Sequence, residues 1–134
     1  MTAQGKTVLI TGSTDGVGRR VAERLGAAGA TILIHGRDAA RAEQLRAAIE
    51  ADGGKAAVYL ADFAALAEVR RLADAVARDH PRLDILINNA GIGIDRPDTR
   101  QLSRDGHELH FAVNYLAGFL LTRLWRPPAP AARG

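Results

Sequence analysis

Cysteine is absent from this chain of 134 residues, so disulfide bonds, thiolate nucleophiles and cysteine-ligated metal sites are excluded. Aromatic residues account for only 4% of the sequence, and the core must therefore be built mainly from Ala, Val, Leu and Ile. The first residues lack the long apolar segment of a secretory signal. The apolar run at residues 111–121 is too short to cross a bilayer and contains Asn114. We therefore expect a cytoplasmic protein without a membrane partner.

A large excess of one charge sign is also missing. The formal net charge is +3, and the arginines alternate with acidic residues in segments such as GRDAARAEQLR and EVRRLADAVARD. Interleaving of this kind is typical of solvated helix faces rather than of a nucleic-acid-binding surface, so no nucleic-acid partner is expected. His107 and His110 lie three residues apart, but no third ligand accompanies them. No metal site is therefore expected.

The sequence does contain a regular alternation of short apolar runs and amphipathic segments. Strands are predicted in KTVLITG, TILIH, AAVYLAD and LDILIN, and helices over residues 17–28, 38–51, 64–80 and 106–125. Such alternation builds parallel sheets, and right-handed crossovers place the strands in the order 3-2-1-4. The predicted fold class is therefore α/β, an incomplete Rossmann-like, doubly wound parallel sheet of four strands with four helices.

Helical periodicity predicts which side of the first helix is buried. Its apolar residues at helical spacing are Val17, Val21, Leu25 and Ala28, which form the predicted core face. Asp38 is predicted to cap the second helix, because its side chain can accept a hydrogen bond from the first turn.

A glycine-rich loop, TGSTDGVG, connects the first strand to the first helix. Gly12 permits a sharp turn, and Gly16 and Gly18 permit close approach of the backbone to a ligand. The helix N-terminus that follows presents unpaired N–H groups and a partial positive charge, which suits a pyrophosphate. A tight turn without a ligand is the alternative. A Walker-type loop is excluded because Arg19 and Arg20 stand where lysine and serine or threonine are required.

Four segments together resemble the short-chain dehydrogenase/reductase family. They are the loop TGSTDGVG, the acid Asp62 just past the third strand, the segment NNAG at residues 88–91, and FAVNYLAGFLLT, which contains Asn114. They occur in the order typical of that family. The resemblance implies a nicotinamide dinucleotide partner, a cofactor-binding domain over residues 1–125 and a disordered Pro/Ala-rich tail at 126–134.

The resemblance also implies roles for individual residues. The loop residues are expected to surround the pyrophosphate and the adenosine ribose. Asp62 is expected to accept a hydrogen bond from the adenine amino group, with Phe63 beside it. Asn114 matches the family's catalytic asparagine, and Asn88 is expected to have a structural role. The expected cofactor-binding residues are Gly12, Ser13, Thr14, Asp15, Gly16, Val17, Gly18, Arg37, Asp62, Phe63, Asn89, Ala90 and Gly91.

The end of the second strand favours NADP(H) over NAD(H). An acidic residue there would bind the two free ribose hydroxyls of NAD, but the sequence reads His35-Gly36-Arg37. A guanidinium is always charged and donates parallel hydrogen bonds to a phosphate, so Arg37 is predicted to bind the 2′-phosphate. The alternative is that Arg37 is a surface arginine paired with Asp38.

Most of the catalytic set that the resemblance implies is missing. The family uses a tyrosine with a lysine four residues later, a serine on the next strand, and the asparagine. Neither Tyr59 nor Tyr115 has a lysine four residues later, and Ser103 precedes Asn114, so it is not the family's serine. An asparagine cannot act as a general acid. Activity of this chain alone is therefore not expected.

We interpret the chain as the N-terminal, cofactor-binding part of an NADP(H)-dependent oxidoreductase with a carbonyl or alcohol substrate, truncated or altered after Leu124. A genuine short product is the alternative. In either case the fourth strand has an open edge, and the fourth helix exposes apolar residues such as Phe111, Leu116 and Leu120. Two other hypotheses remain, a non-catalytic dinucleotide-binding module that forms a homo-oligomer through the fourth helix, and an unstable product without function.

Overall fold

The computed structural model describes residues 2–93 and 99–125. They form a parallel four-stranded sheet in the predicted order, β3-β2-β1-β4. The strands are β1 (Thr7–Ile10), β2 (Thr31–Gly36), β3 (Lys55–Leu60) and β4 (Ile85–Ile87). β1 pairs with both β2 and β4 and lies inside the sheet. The tail predicted at 126–134 lies outside the described residues.

Helices cover both faces of this sheet. They are α1 (Gly16–Ala27), α2 (Ala39–Ala51), α3 (Leu66–Asp79), α4 (Leu109–Phe111), a π-helical segment (Ala112–Leu116) and α5 (Ala117–Leu124). The last three are continuous and together form the fourth helix. Successive strand residues point to opposite faces, so Leu9 and Leu33 pack with α3 and α5, whereas Ile10 and Ile34 pack with α1 and α2.

The second helix begins and ends with the residues that helix chemistry favours. Asp38 caps α2, as predicted, and its Oδ1 accepts the N–H groups of Ala40 at 2.9 Å and Arg41 at 3.2 Å. After the helix, Gly53 has a φ of 83°, a left-handed conformation that glycine adopts without steric cost. Its N–H donates to the carbonyl of Glu50 at 3.0 Å and closes the last turn.

The predicted core face of α1 is correct for Val21 and Leu25, which are half-buried and pack against the core, and wrong for Val17 and Ala28. Its buried residues are Gly18, Ala22 and Gly26, whereas Val17 is 73% exposed and Ala28 is exposed. Small side chains let the α1 backbone approach the sheet and the neighbouring loops closely, and the larger apolar residues then flank the contact. Periodicity that counts only large apolar residues misses a face built from glycine and alanine.

The fourth helix begins at Leu109, three residues later than predicted, because Glu108 is its N-cap. The Glu108 carboxylate accepts the N–H groups of His110 and Phe111 at 3.1 and 2.8 Å. Phe111 is exposed, as expected, but Leu116 and Leu120 are half-buried. Among residues 2–93 and 99–125, no helix has the length and apolarity needed to cross a membrane.

Candidate functional site

A cavity of about 690 Å³ lies at the carboxyl ends of the strands. Its walls come from the loops that follow β1, β2, β3 and β4, together with the start of the fourth helix. Open parallel sheets bind ligands at this edge, in the crevice where the loops diverge. The volume falls in the range typical of ligand and cofactor pockets.

The glycine loop after β1 forms one wall. Gly12 and Gly16 have φ angles of 61° and 56°, which favour glycine at both positions. Asp15 caps α1, and its Oδ1 accepts the N–H of Gly16 at 2.7 Å. The N–H groups of Val17 and Gly18 belong to the first turn, where the helix has no acceptor for them. The loop therefore combines open backbone donors with the positive end of the helix dipole.

Thr11 joins this loop to the segment after β4. Its buried hydroxyl oxygen accepts the N–H groups of Asn89 and Ala90, each at 3.0 Å. The Asn89 side chain donates in turn to the carbonyl of Gly12 at 3.0 Å. These bonds hold two walls of the cavity together. Asn88 was expected to tie neighbouring loops together; its amide instead donates to the Thr122 hydroxyl on α5 at 2.9 Å.

His35, near the end of β2, is buried between the loops that follow β1 and β3. Its Nδ1 accepts the N–H of Gly12 at 3.0 Å, and its Nε2 lies 2.9 Å from the carbonyl oxygen of Ala61. Its ring stacks on Phe63 with centroids 4.2 Å apart and planes at 18°. A carbonyl can only accept and an N–H can only donate, so both bonds are satisfied together by the neutral tautomer protonated at Nε2.

We expect His35 to make the protein less stable in acid. Burial lowers the pKa of His35 from its ordinary value of 6.5, against a smaller opposing effect of the Ala61 hydrogen bond. Below about pH 6.5 the unfolded chain binds a proton at this position that the folded chain resists. The His35 contribution to stability is therefore complete above that pH and is lost progressively as the pH falls toward the folded-state pKa.

Thermal unfolding followed by circular dichroism should therefore give a lower midpoint at about pH 5 than at about pH 7.5. His35→Gln should reduce this difference, because glutamine does not titrate. His80→Gln is the matched control, since His80 lies at the end of α3, away from the cavity. An acid dependence that is the same in wild type and His35→Gln would contradict the prediction.

The loop after β3 presents Asp62 to the cavity. Its Oδ1 accepts the N–H of Ala64 at 2.9 Å, and its Oδ2 lies 3.7 Å from a guanidinium nitrogen of the exposed Arg104. The same loop is held by Asp105, whose carboxylate accepts the N–H of Leu66 at 2.8 Å at the start of α3. Asp62 is thus fixed in position with one carboxylate oxygen directed away from its own loop.

Arg37 is exposed and lines the cavity. Asp38 does not hold it, because Asp38 caps α2 and lies 3.7 Å from Arg41. Across residues 2–93 and 99–125, no ion pair involves Arg37. The pairing of Arg37 with Asp38 is therefore absent from the described part of the chain, whereas its exposure is also that of a solvated surface arginine, and its contact with a cofactor stays a prediction.

Asn114 lies in the π-helical segment and holds the segment after β4. Its Oδ1 accepts the N–H of Ile92 at 2.7 Å, and its Nδ2 donates to the carbonyl of the same residue at 3.1 Å. One turn earlier, His110 contacts Glu108 at 2.8 Å and the carbonyl of Gly93 at 3.0 Å. The N–H of Phe111 and the contacts of His110 lower the pKa of Glu108 to about 2. π-helical turns are frequent at functional sites.

Neither tyrosine lies at the cavity. The Tyr59 hydroxyl donates to Asp79 at 2.9 Å, and burial, assisted by this carboxylate, raises the pKa of Tyr59 to about 12. Tyr115 is exposed and stacks between Phe111 and Phe119, at 5.4 and 6.1 Å between ring centroids. A tyrosine that could act as an acid or base on a bound ligand is thus missing from the cavity wall in the described part of the chain.

The structure brings most of the predicted site residues together. Those that line the cavity are Gly12, Thr14, Asp15, Gly16, Arg37, Asp62, Phe63, Asn89, Ala90 and Gly91. Ser13, Val17, Gly18 and Asn114 lie outside the lining. Ser13 is buried, and its hydroxyl accepts the N–H of His35 at 3.0 Å. For all the predicted site residues, contact with a cofactor stays a prediction. No metal-binding cluster of His and acidic residues occurs among the described residues.

Sequence reasoning did not assign to the site the further lining residues His35, Gly36, Ala61, Ala64, Ile92, Gly93, Thr99, Gln101, Leu109, His110 and Val113. Two of these residues could have been assigned from the sequence. His35 stands next but one to Arg37 at a strand end, and His110 lies one helical turn before Asn114. The others line the cavity because of how the loops fold, which the sequence pattern does not predict.

The chain is similar in sequence to a protein family and to several curated proteins. The family model described as short chain dehydrogenase matches residues 6–132. Retinol dehydrogenase 14 of Mus musculus is 42% identical, with 90% of this chain and 39% of that protein covered. Polyprenol dehydrogenase of Mus musculus is 36% identical, with 96% and 38% covered. The chain thus spans about two fifths of the length of these curated relatives.

Solved structures show the same similarity. A metagenomic short-chain oxidoreductase in complex with NADP has a TM-score of 0.81 at 30% identity, over 93% of this chain and 57% of that chain. A 7α-hydroxysteroid dehydrogenase complexed with NADH and 7-oxo glycochenodeoxycholic acid has a TM-score of 0.80 at 28% identity, over 92% and 48%. The two neighbours differ in the nicotinamide cofactor that they hold.

Proposed function

The chain belongs to the short-chain dehydrogenase family, and we propose that it forms the NADP(H)-binding part of an oxidoreductase that interconverts a carbonyl group and an alcohol. The observation that carries the proposal is the cavity at the strand ends, which is lined by the glycine loop, Asp62 and the exposed Arg37. The names of the relatives, two dehydrogenases of alcohols among them, support the reaction class. A cytoplasmic location stays part of the proposal.

The donors and acceptors of the cavity fit a dinucleotide phosphate. The glycine loop would hold the pyrophosphate at the N-terminus of α1, and a side chain built on Gly16 would meet no atom within 4 Å, so the space above the loop is open. Asp62 would accept the adenine amino group, and Arg37 would hold the 2′-phosphate. Asn114 would keep Ile92 in place at the nicotinamide end. When bound, NADPH supplies the hydride.

We expect the chain to bind NADPH more tightly than NADH, and Arg37→Gln to remove that preference. A hydrogen bond to a charged group contributes about 1.5–3 kcal/mol, so the variant should lose about 10- to 100-fold in NADPH affinity. Its NADH affinity should not change, because NADH has no 2′-phosphate. Fluorescence titration of each dinucleotide measures both constants.

Arg70→Gln is the matched control for this experiment. Arg70 is an exposed arginine on α3 and does not line the cavity, so its removal changes the net charge by the same amount without touching the site. A preference of the wild-type chain for NADH, or an equal loss of NADPH affinity in both variants, would contradict the assignment of Arg37.

We further expect no turnover from the 134-residue chain with NADPH and a panel of aldehydes and ketones. The cavity lacks the tyrosine–lysine pair, and general acid–base groups typically contribute about 10²–10⁴-fold to a rate. Loss of NADPH absorbance measures turnover, with a full-length relative assayed in parallel. Turnover at the rate of that relative would refute the prediction. Tight binding without turnover would support a cofactor-binding part that needs further catalytic groups.

A second candidate function is a non-catalytic dinucleotide-binding module that pairs with a second copy of this chain. The observation that favours it is the row of exposed aromatic rings at Phe111, Tyr115 and Phe119, spaced one helical turn apart on the fourth helix. Two-fold pairing of identical surfaces is the commonest form of oligomer. Sedimentation of wild type and Phe119→Ser tests this, because a dimer through this row should dissociate in the variant.

A further inference from the structure

We propose that His35 is a positioning residue for the dinucleotide, whose neutral imidazole holds the glycine loop and the Asp62 loop at a fixed separation across the adenosine end of the cavity. The inference rests on the proposed function and deepens it, since it concerns how the site is shaped rather than which groups touch the cofactor.

The hydrogen bonds of His35 reach both loops from a single side chain. Nδ1 accepts the N–H of Gly12, the first glycine of the loop that would hold the pyrophosphate. Nε2 donates to the carbonyl of Ala61, the residue before Asp62. The backbone of His35 adds three bonds to Ser13. Its N–H donates to the Ser13 hydroxyl at 3.0 Å, and its carbonyl accepts the Ser13 N–H at 2.9 Å and the Ser13 hydroxyl at 3.4 Å. His35 therefore sets the distance between Gly12 and Ala61.

The geometry calls for an imidazole in particular. The acceptor and the donor sit on opposite sides of one rigid ring, and that ring is flat enough to stack on Phe63. Asparagine places an oxygen near the Nδ1 position and reaches only Gly12, whereas glutamine places a nitrogen near the Nε2 position and reaches only Ala61. Neither amide supplies both bonds and the stack.

The surroundings keep the ring neutral at physiological pH. The groups that contact His35 from the glycine loop and the Ala61 loop are uncharged, namely those of Gly12, Ser13, Ala61 and Phe63. The nearby charged side chains, Asp15, Arg37 and Asp62, line the cavity itself, and Asp62 faces Arg104. A protonated ring would carry a hydrogen on Nδ1 against the N–H of Gly12 and break that bond.

The test compares dissociation constants for NADPH, and for the adenosine bisphosphate half of NADP, in wild type, His35→Asn, His35→Gln and His35→Phe. Each amide variant should raise the dissociation constants of both ligands by about 3- to 10-fold, which is the effect of one lost hydrogen bond. His35→Phe keeps the stack but loses both bonds, and it should weaken binding more than either amide. His80→Asn, away from the cavity, should leave both constants unchanged. Circular dichroism at the titration temperature establishes that each variant is folded, because loss of stability alone does not change the affinity of the folded molecules.

Amide and imidazole nitrogen NMR supplies a readout that does not depend on cofactor binding. The Gly12 amide should shift in His35→Gln and keep its position in His35→Asn, and the wild-type ring should be the tautomer protonated at Nε2. This inference alone would be overturned if the wild type binds NADPH and all three His35 variants bind it with the same dissociation constant as the wild type. A wild-type ring protonated at Nδ1 would also overturn it. Failure of the wild-type chain to bind either dinucleotide would overturn the proposed function and this inference with it.

Discussion

Gly12→Ala is expected to abolish measurable NADPH binding. A Cβ at this position would lie 2.7 Å from the Cα of Ala90, a backbone atom of the facing loop that cannot move aside alone. The residue also has a φ of 61°, which costs a residue with a side chain about 1–2 kcal/mol. Overpacking adds about 1–3 kcal/mol. To relieve the backbone strain and the collision with Ala90, the glycine loop would have to move away from Asn89 and Ala90. This movement would open the wall that would hold the pyrophosphate.

Gly53→Ala separates the effect of backbone strain from the effect of the steric collision. Gly53 has a φ of 83°, and a Cβ there would meet nothing within 4 Å. It follows α2, away from the cavity, so this variant has the backbone strain without the collision. We expect a lower unfolding midpoint and unchanged NADPH affinity for Gly53→Ala. Isothermal titration of both variants checks this, and Gly12→Ala with the wild-type dissociation constant would contradict the close approach of the two loops.

The order and pairing of the strands could be predicted from the sequence because they depend on local signals. Apolar β-branched runs mark β1 and β2, glycines and Pro81 mark the ends of helices, and the handedness of crossovers leaves few arrangements. The same reasoning located Asp38 as a cap, since capping needs only a side chain and the two or three residues after it. Most predictions that need only neighbours in sequence were confirmed.

One incorrect prediction, the start of the fourth helix, is local, and the other differences concern contacts between distant segments. The face of α1 was predicted to include Val17 and Ala28, which are exposed. The helix instead buries Gly18, Ala22 and Gly26, and this depends on how closely the neighbouring segments approach. The N-terminus of the fourth helix moved to Leu109 because Glu108 caps it. The pairing of His35 with Gly12 and Ala61 spans residues 23 and 26 positions apart, and no spacing rule in a single sequence could predict it.

Thr11→Val is expected to lower the stability of the whole domain. The Thr11 hydroxyl oxygen is the acceptor for the N–H groups of both Asn89 and Ala90, and the side chain is 1% exposed. Valine has nearly the same shape, so the variant removes the hydroxyl without a large change in volume. The Ile87 carbonyl, to which the hydroxyl donates at 3.4 Å, keeps the N–H of Thr11 as a donor at 3.0 Å, so the main loss is the acceptor. A buried N–H left without a partner costs about 1–3 kcal/mol, which gives a loss of about 2–6 kcal/mol for the two groups together.

Thr11→Ser is the matched control, because it keeps the oxygen and loses only a methyl group. Urea unfolding should give a free energy close to the wild-type value for Thr11→Ser and a much lower one for Thr11→Val. Because Asn89 also donates to the carbonyl of Gly12, loosening of the segment after β4 in Thr11→Val should weaken NADPH binding as well. Equal unfolding free energies for the valine and serine variants would mean that water or relaxation of the loop satisfies the two N–H groups, and that the hydroxyl is not what joins the two walls of the cavity.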